Sequence, residues 1–222
     1  MKRSGLPTEQ EVAAELAVYG LILRGGVVLA EDGGAARTVL LVGNAGAAYW
    51  TTFLRWREQQ ISDPANPLDS WSRNVIDAVA RRFGARVVMP SDRPFAPFQQ
   101  WAMKAERLRP SPLGLLMHPR YGPWHAYRGA LVFDRELPLL PVQAPHHPCD
   151  TCEAKPCLSA CPVDAYSPLG FAYSRCVSHV AGDGGQPCRT IGCLARNACP
   201  VGSAYRYPSA VQAFHQKAFA AL

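Results

Sequence analysis

Apolar residues recur at the spacing of an α-helix in several stretches of the chain. The first stretch opens with Thr8 and Glu11, which have the form of a capping box. We expect this helix to end near Gly20 or at Gly25 and Gly26, because glycine commonly follows the last helical turn. The same periodicity predicts further helices at residues 47–60, 67–84 and 98–108, and from residue 208 onwards.

Apolar runs that are too short for helices lie between these stretches. They predict strands at residues 37–43, 86–90, 113–117 and 129–133. Helices mixed with strands predict an α/β or α+β domain over residues 1–135. Residues 134–148 are rich in proline and have no regular period, which indicates a linker. His146 and His147, within this linker, are expected to be exposed.

The turn after the first predicted strand reads Asn44-Ala45-Gly46, and a predicted helix follows it. A strand, a glycine turn and a helix in this order can bind a phosphate through backbone N–H groups at the helix start. The turn lacks the Gly-x-Gly-x-x-Gly spacing of a dinucleotide site and has no Lys-Ser or Lys-Thr pair. We therefore interpret it as a plain connection, with nucleotide binding as the alternative.

The candidate chemistry is concentrated in one segment, which holds all eight cysteines of the chain between Cys149 and Cys199. Its first part reads Cys-x2-Cys-x4-Cys-x3-Cys-Pro, and a second Cys-Pro step follows at Cys199. Closely spaced cysteines that end in Cys-Pro are typical of chains that wrap iron–sulfur cubanes, and the cysteine before proline then ligates the neighbouring cluster. Proline turns the chain away from the cluster, since its φ is fixed and it has no N–H.

Eight cysteines supply the ligands of two [4Fe–4S] clusters with none left over, because each cluster takes four thiolates. The crosswise pattern assigns one cluster to Cys149, Cys152, Cys157 and Cys199. It assigns the other cluster to Cys161, Cys176, Cys188 and Cys193. The long interval between Cys176 and Cys188 leaves the second pairing open.

Zinc and disulfide bonds are the alternatives to iron–sulfur clusters. Structural zinc prefers two short Cys-x2-Cys pairs, whereas the chain has one such pair and zinc explains neither Cys-Pro step. Disulfide bonds need an oxidising compartment, and Glu9, Glu11 and Glu15 interrupt any apolar segment of the signal-peptide type. We therefore expect iron–sulfur ligation in a cytoplasmic protein, with zinc, disulfides or free thiols as the alternatives.

The formal net charge is +6 and the apolar fraction is 48%. This apolar content is sufficient for a hydrophobic core, but no apolar run reaches the length of a membrane span, so no membrane partner is expected. Eight thiolates and two cubane cores would add about −4, which brings the loaded protein to about +2. Since the basic residues are mostly scattered arginines, no nucleic-acid partner is predicted.

The segments CDTCEAKPCLSACPVDAY (149–166) and GCLARNACPVGSAY (192–205) resemble the two-cluster [4Fe–4S] ferredoxin-type domain. The resemblance implies an electron-transfer module over residues 145–207, with redox donor and acceptor proteins as its partners. The chain departs from the usual spacing of that family in two places, because the loops that precede Cys157 and Cys199 are longer. The departures leave the cluster type and the reduction potential open.

Residues 117–129, between the last two predicted strands, are rich in side chains that bind ligands. A wide hairpin with aromatic residues over the core would account for them, and so would a loop that shapes a ligand pocket. The arginines could hold an anionic group, and the histidines could ligate a metal or transfer a proton. The candidate binding residues are His118, Arg120, Trp124, His125 and Arg128.

The segment HPRYGPWHAYRGALVF (118–133) is similar to the strand–loop–strand of cobalamin-processing proteins of the decyanase and trafficking-chaperone type. The order of a mixed α and β domain followed by two clusters is similar to epoxyqueuosine reductase and to the corrinoid reductive dehalogenases. These likenesses imply cobalamin, or another corrinoid, as a further ligand and a reductase that the clusters supply with electrons. They assign no catalytic acid to this chain.

These patterns together predict an α/β or α+β domain (1–135), a ferredoxin-like di-cluster module (145–207) and a closing helix (208–222) that packs on the first domain. The predicted function is electron transfer through two [4Fe–4S] clusters. One alternative is a cluster-fed oxidoreductase with a corrinoid or other small-molecule pocket near residues 117–129. Another is a protein in which iron–sulfur or zinc is purely structural. An electron carrier is favoured over a complete enzyme, because the sequence has no recognisable catalytic signature.

Overall fold

The computed structural model describes residues 6–29, 36–167 and 170–221. The chain forms two compact units, each assembled from two separate segments. The first unit contains the described residues of Met1–Arg107 and of Ala126–Ala144. The second unit contains Leu108–His125 and the described residues of Pro145–Leu222. This division differs from the predicted boundaries, because residues 108–125 and the last helix belong to the unit that carries the cysteines.

The strands are, in chain order, β1 (Ile22–Leu29), β2 (Arg37–Ala45), β3 (Arg86–Val88), β4 (Arg109–Pro110), β5 (Leu116–Met117), β6 (His125–Phe133), β7 (Tyr166–Ser167) and β8 (Gly170–Phe171). The helices are α1 (Glu9–Ala17), α2 (Trp50–Glu58), α3 (Pro67–Phe83), α4 (Phe98–Glu106), α5 (Pro156–Ser159), α6 (Tyr173–Ala181), α7 (Gln186–Ile191), α8 (Leu194–Asn197) and α9 (Ser209–Ala220). None of the helices in the described ranges is long and apolar enough to cross a lipid bilayer.

Four strands form one sheet in the order β1-β2-β6-β3. Strand β1 pairs antiparallel with β2, and β3 pairs antiparallel with β6. Strand β2, which was predicted from its apolar run, is buried along nearly its whole length. Gly43 permits the close approach of β2 to β6, because a Cβ at this position would lie 2.2 Å from the carbonyl oxygen of Ala126. The first unit is therefore α+β, and the α/β alternative is wrong.

Strand β1 is absent from the predicted elements, because glycines interrupt its apolar pattern. Its pairing with β2 shifts in register between Leu23 and Gly26, and Gly25 has a φ of 69°. A bulge of this kind places an extra residue in one strand and breaks the alternation of inward and outward side chains. The preceding helix accordingly ends at Ala17, before the glycines at which the sequence predicted its end.

The helices of the first unit follow their predicted signals. The backbone N–H of Glu11 donates to Thr8 Oγ1 (3.2 Å) and the N–H of Thr8 donates to Glu11 Oε2 (3.0 Å), which completes the predicted capping box. Helix α3 begins at Pro67 and ends before Gly84, whose φ of 68° is left-handed. Asn66 occupies its N-cap position, but the side chain makes no capping hydrogen bond. The predicted apolar side of α3 is buried through Leu68, Trp71, Val75 and Val79.

The wide hairpin of strands 113–117 and 129–133, one of the two alternatives for this segment, does not occur. Strand β5 pairs with β4 instead, through Arg109 with Met117 and Pro110 with Leu116. The N–H of Ser111 donates to the carbonyl oxygen of Leu115 (2.7 Å) and closes the short turn between them. Pairing over so few residues costs less loop-closure entropy than pairing across the longer loop. Strand β6 is consequently available to the main sheet.

Helix α9 follows Pro208 as predicted, but it belongs to the second unit, where it packs on α7 and α6. Gln212 is 7% exposed and joins α9 to the end of α8. Its Nε2 donates to Asn197 Oδ1 (3.0 Å), and its Oε1 accepts from Asn197 Nδ2 (2.9 Å). The predicted position of this helix on the first domain is thus corrected to a position within the second unit.

Candidate metal centres

The eight thiols fall into two sets of four. The first set is Cys149, Cys152, Cys157 and Cys199, and the second set is Cys161, Cys176, Cys188 and Cys193. Within the first set, the other three thiols all raise the pKa of Cys149, and the thiols of Cys199 and Cys152 raise the pKa of Cys157. Within the second set, the other three thiols all raise the pKa of Cys176, and the thiols of Cys193 and Cys161 raise the pKa of Cys188. The structure therefore groups the cysteines as the crosswise pattern assigned them. None of the eight forms a disulfide bond.

The first set lies around the short helix α5. Cys157 is inside this helix, and the backbone N–H groups of Cys157 and Leu158 act to lower the pKa of its thiol. The backbone N–H of Val201 likewise acts to lower the pKa of the Cys199 thiol. A cavity of about 20 Å³ lies among all four thiols of this set. Backbone donors that point at sulfur favour the thiolate form.

Burial is the main influence on the pKa values of Cys149, Cys157 and Cys199. Burial and, after it, the neighbouring thiols of Cys199, Cys157 and Cys152 raise the pKa of Cys149 to about 11, against the opposing effect of Lys155. Burial likewise raises the pKa of Cys157 and of Cys199. These thiols keep their protons at neutral pH unless a cation stabilises the charged form, and a coordinated metal does so.

The second set is spread over three short elements. Cys176 is in α6, Cys188 is in α7, and Cys193 is the N-cap residue of α8. The N–H of Ala165 donates to Cys161 Sγ (3.3 Å). Burial raises the pKa of Cys176 to about 11, with Cys193, Cys161 and Cys188 as further causes. A cavity of about 310 Å³ lies beside this set and is lined by its four thiols, by Tyr166 and by His179.

Among the residues that the structure describes, no group of three or more His, Cys, Asp or Glu side chains is arranged to hold one metal ion. A structural zinc site requires four Cys or His ligands on a single ion, with cysteine sulfurs at about 2.3 Å. A cubane makes a different demand, because its four thiolates are distributed over four irons. Each set has four cysteines that line one cavity, which is the number of thiolates that a cubane takes.

The predicted ligand-binding histidines make hydrogen bonds within the loop itself. Nδ1 of His118 accepts from the N–H of Arg120 (3.0 Å) and of Tyr121 (3.1 Å), and the His118 ring stacks on Tyr121 with centroids 4.0 Å apart. Nε2 of His125 lies 2.9 Å from the carbonyl oxygen of Leu116. Both rings therefore help to fix the conformation of residues 116–125.

Trp124 has no solvent exposure and packs against the cysteine-bearing part of the second unit. The Arg196 guanidinium lies 4.5 Å from its ring centroid, and the Tyr207 ring lies 5.6 Å away. Arg196 also donates from Nη2 to the carbonyl oxygen of Pro123 (2.6 Å). Nε1 of Trp124 is buried without a hydrogen-bond partner among the described residues. The loop and helix α8 are thus held together by an aromatic residue and a cation.

The two predicted arginines lie in different units. Arg120 is in the second unit, is exposed, and has its guanidinium 5.7 Å from the centroid of Tyr205. Arg128 is in the first unit, where Nε donates to Asn44 Oδ1 (2.9 Å) and the guanidinium lies 5.2 Å from the Tyr49 ring. Of the five candidate residues, Arg128 belongs to the first unit and the other four belong to the second.

Two glycines bring this loop against the second Cys-Pro step. A Cβ on Gly122 would lie 2.1 Å from the carbonyl oxygen of Val201, and a Cβ on Gly202 would lie 2.3 Å from the backbone of Tyr121. Both glycines have positive φ, 58° at Gly122 and 70° at Gly202. This backbone contact, which the sequence did not reveal, connects the loop to the residues that follow Cys199.

Several residues near the thiols were not assigned a role from sequence. His147, expected to be exposed, is 8% exposed, whereas His146 is exposed. Burial lowers the pKa of His147, and its ring hydrogen-bonds to the backbone of Pro110. Nε2 of His179 is buried without a partner among the described residues. The hydroxyl of Tyr166 lies 3.9 Å from Cys193 Sγ. The repeated tyrosine after each Cys-Pro step is the sequence signal that could have identified Tyr166.

Comparison with protein-family models and with curated protein sequences gives no match for this chain. The function therefore has to be argued from the two thiol sets.

Proposed function

We propose that the protein holds one [4Fe–4S] cluster on each thiol set and transfers single electrons through the pair. The observation that supports this most directly is the division of eight thiols, none of them in a disulfide, into two sets of four within one unit. When bound, such clusters accept and release one electron each. A reducing compartment such as the cytoplasm keeps eight thiols available as ligands.

The two sets are joined by short helical connections, which supports transfer between them. Cys157 of the first set and Cys161 of the second are four residues apart across α5. Cys193 of the second set and Cys199 of the first are six residues apart across α8. At about 1.5 Å per helical residue, the four residues of each helix rise by about 6 Å. Helices α5 and α8 also pack on each other.

The chain's own residues supply charge compensation around the thiols. Lys155 favours the charged form of Cys149, Arg206 favours that of Cys199, and Arg189 favours that of Cys188. The N–H of Ala165 donates to Cys161 Sγ in the second set, and backbone N–H groups act to lower the pKa of Cys157 in the first. Partial burial favours the protonated thiol, whereas nearby positive charge and hydrogen-bond donors favour the thiolate.

The test is to purify the protein without oxygen, to count iron and acid-labile sulfide, and to record its electron paramagnetic resonance spectrum after reduction. We expect about eight irons and about eight sulfides per chain, with broadened signals from two interacting clusters. Bound zinc without sulfide would contradict the proposal. Clusters that cannot be reduced without unfolding would support a structural role instead.

The corrinoid ligand of the alternative function stays a prediction. His118, Trp124 and His125 make contacts within the second unit that account for them structurally. Adding cobalamin to the loaded protein and following its absorption spectrum tests the alternative directly. An altered cobalamin spectrum that His118→Ala abolishes at unchanged iron content would favour the cluster-fed reductase.

A further inference from the structure

Tyr166 lies beside the second thiol set, whereas Tyr205, the tyrosine that follows the second Cys-Pro step, has a different environment. It follows the first Cys-Pro step, and its hydroxyl oxygen is 3.9 Å from Cys193 Sγ. Its ring stacks on Phe171, with centroids 4.9 Å apart and an angle of 26° between the planes. The stacked ring limits the positions that the hydroxyl can take.

Tyr205 occupies the corresponding place after the second Cys-Pro step, but it has a different environment. Its ring packs edge-on against Tyr121 at 4.8 Å, and the Arg120 guanidinium lies over it. Among the described residues, no cysteine lies within hydrogen-bonding distance of its hydroxyl. The two tyrosines therefore form a matched pair in which only Tyr166 reaches a thiol.

Chemistry decides the direction of the contact between Tyr166 and Cys193. A thiolate ligand carries no hydrogen, so the tyrosine hydroxyl has to be the donor once Cys193 binds iron. A phenol with an ordinary pKa of about 10 is protonated at neutral pH and can donate. Hydrogen bonds to charged groups are stronger than those between neutral groups.

We propose that Tyr166 is a positioning residue that raises the reduction potential of the second cluster by donating a hydrogen bond to Cys193. Reduction adds negative charge to a cluster and its thiolates, and a donor to sulfur stabilises the reduced form more than the oxidised form. This inference rests on the proposed function. The Tyr166 hydroxyl is a side-chain donor. In the first set, the groups that act in a comparable way on the pKa values of Cys157 and Cys199 are backbone N–H groups.

The experiment compares Tyr166→Phe with Tyr205→Phe in redox titrations followed by electron paramagnetic resonance. Each substitution removes one hydroxyl and keeps the ring. We expect Tyr166→Phe to lower the reduction equilibrium constant of one cluster about tenfold, which is about 59 mV for one electron. The affected cluster should be the one that Cys193→Ala removes. Tyr205→Phe should leave both potentials unchanged.

Iron and sulfide content, measured on the same samples, separates failure of this inference from failure of the proposed function. About eight irons with unchanged potentials in Tyr166→Phe would overturn the tuning role and leave the clusters in place. An equal shift in Tyr205→Phe would also overturn it. A wild-type protein without iron or sulfide would overturn the proposed function itself.

A second substitution keeps the inference testable if Tyr166→Phe loses its cluster. Replacing Tyr166 with 3-fluorotyrosine keeps the hydroxyl and makes it a more acidic donor. The potential of the second cluster should then rise, in the direction opposite to that of the phenylalanine variant. An unchanged or lower potential in the fluorotyrosine protein would contradict the proposed hydrogen bond.

Discussion

Cys161 is the last cysteine of the first motif in the sequence, but its thiol raises the pKa values of Cys176 and Cys188, which belong to the second set. This placement makes the pairing testable by combining substitutions. We expect Cys161→Ala with Cys193→Ala to leave one cluster, about four irons per chain, because both thiols serve the second set. Cys161→Ala with Cys152→Ala should leave none. Iron and sulfide counts after anaerobic purification make the comparison.

The amounts of iron that the two double variants lose distinguish crosswise ligation from an arrangement in which each cysteine motif binds its own cluster. If each motif bound its own cluster, the combination of Cys161 with Cys152 would spare the other cluster and the combination with Cys193 would remove both. The single variants at these positions serve as controls, since each should lose one cluster. Reversal of the two double-variant results would contradict the crosswise pairing.

Gly122 offers a second prediction at the scale of single residues. Gly122→Ala should destabilise the second unit strongly and lower its iron content, because the new Cβ would collide with the backbone of Val201. Gly114 is the matched control, since it also has positive φ, 74°, but has nothing within 4 Å of a Cβ. Gly114→Ala should cost only the conformational strain of about 1–2 kcal/mol.

Thermal unfolding followed by circular dichroism, with iron counted on the same samples, tests the glycine pair. The Tm of Gly122→Ala should fall by several degrees more than that of Gly114→Ala, since 1 kcal/mol corresponds to about 2–4 °C in a protein of this size. Equal losses in the two variants would show that only backbone conformation matters at Gly122.

At the residue scale, the sequence identified the eight cysteines because ligand type and spacing are local properties. It did not identify the role of Trp124, because the partners of this side chain are distant along the chain. The Trp124 ring meets Arg196 and Tyr207, and no local pattern signals such a contact. The dense group of functional side chains predicted a ligand pocket; the structure shows packing contacts of Trp124 there, and the pocket stays a prediction.

At the scale of elements, α9 holds the helices that carry the second thiol set. Gln212→Leu removes the paired hydrogen bonds with Asn197 and leaves buried polar atoms unsatisfied. We expect a loss of about 1–3 kcal/mol in the free energy of unfolding. Gln216→Leu, one turn further along the same helix, is the control and should cost less. Anaerobic urea unfolding followed by far-ultraviolet circular dichroism measures both.

A Gln212→Leu variant as stable as the Gln216→Leu variant would contradict this role for α9. Iron content adds a second readout, because α9 packs on α6 and α7, which contain Cys176 and Cys188. Loss of iron from Gln212→Leu should be confined to the second cluster.

The elements differ in how far local sequence determines them. Helix α3 was predicted with its end and its buried side, because proline, glycine and the apolar period all agree there. Strand β1 was missed, since Gly25 and Gly26 create a bulge that removes the alternation of side chains. The hairpin alternative for β5 is wrong, because sequence shows which residues favour a strand and does not show with which strand it will pair.

At the scale of the whole molecule, the two units differ in how they are stabilised. The first unit buries many large apolar side chains, among them Trp71, Phe53 and Leu41. Among the described residues after Pro145, the buried large apolar side chains are Val180, Tyr207 and Val211. The segment Leu108–His125 adds five buried apolar side chains to this unit, namely Leu108, Leu113, Leu116, Met117 and Trp124. Because the part after Pro145 contributes so few of its own, we expect bound metal to supply much of the folding energy of that part.

Removing the clusters should therefore unfold the cysteine-bearing part of the second unit and leave the first unit folded. Hydrogen–deuterium exchange of loaded and cluster-free protein tests this. Peptides from α6 to α9 should lose protection without clusters, while peptides from β2 and α3 keep it. Restoring iron and sulfide should restore protection. Unchanged protection of α6 to α9 would contradict the dependence on metal.

The discontinuity of both units has a consequence for how the protein is made. Residues 108–125 leave the ribosome before β6, yet β6 lies between β2 and β3 and is needed to complete the first unit. Because domains fold as units during synthesis, the first unit can form while residues 108–125 still wait for their partners. Those partners, Val201, Arg196 and Tyr207, are translated near the end. If the protein binds the proposed clusters, we therefore expect them to be completed late in biosynthesis, because Cys188, Cys193 and Cys199 also lie near the end of the chain.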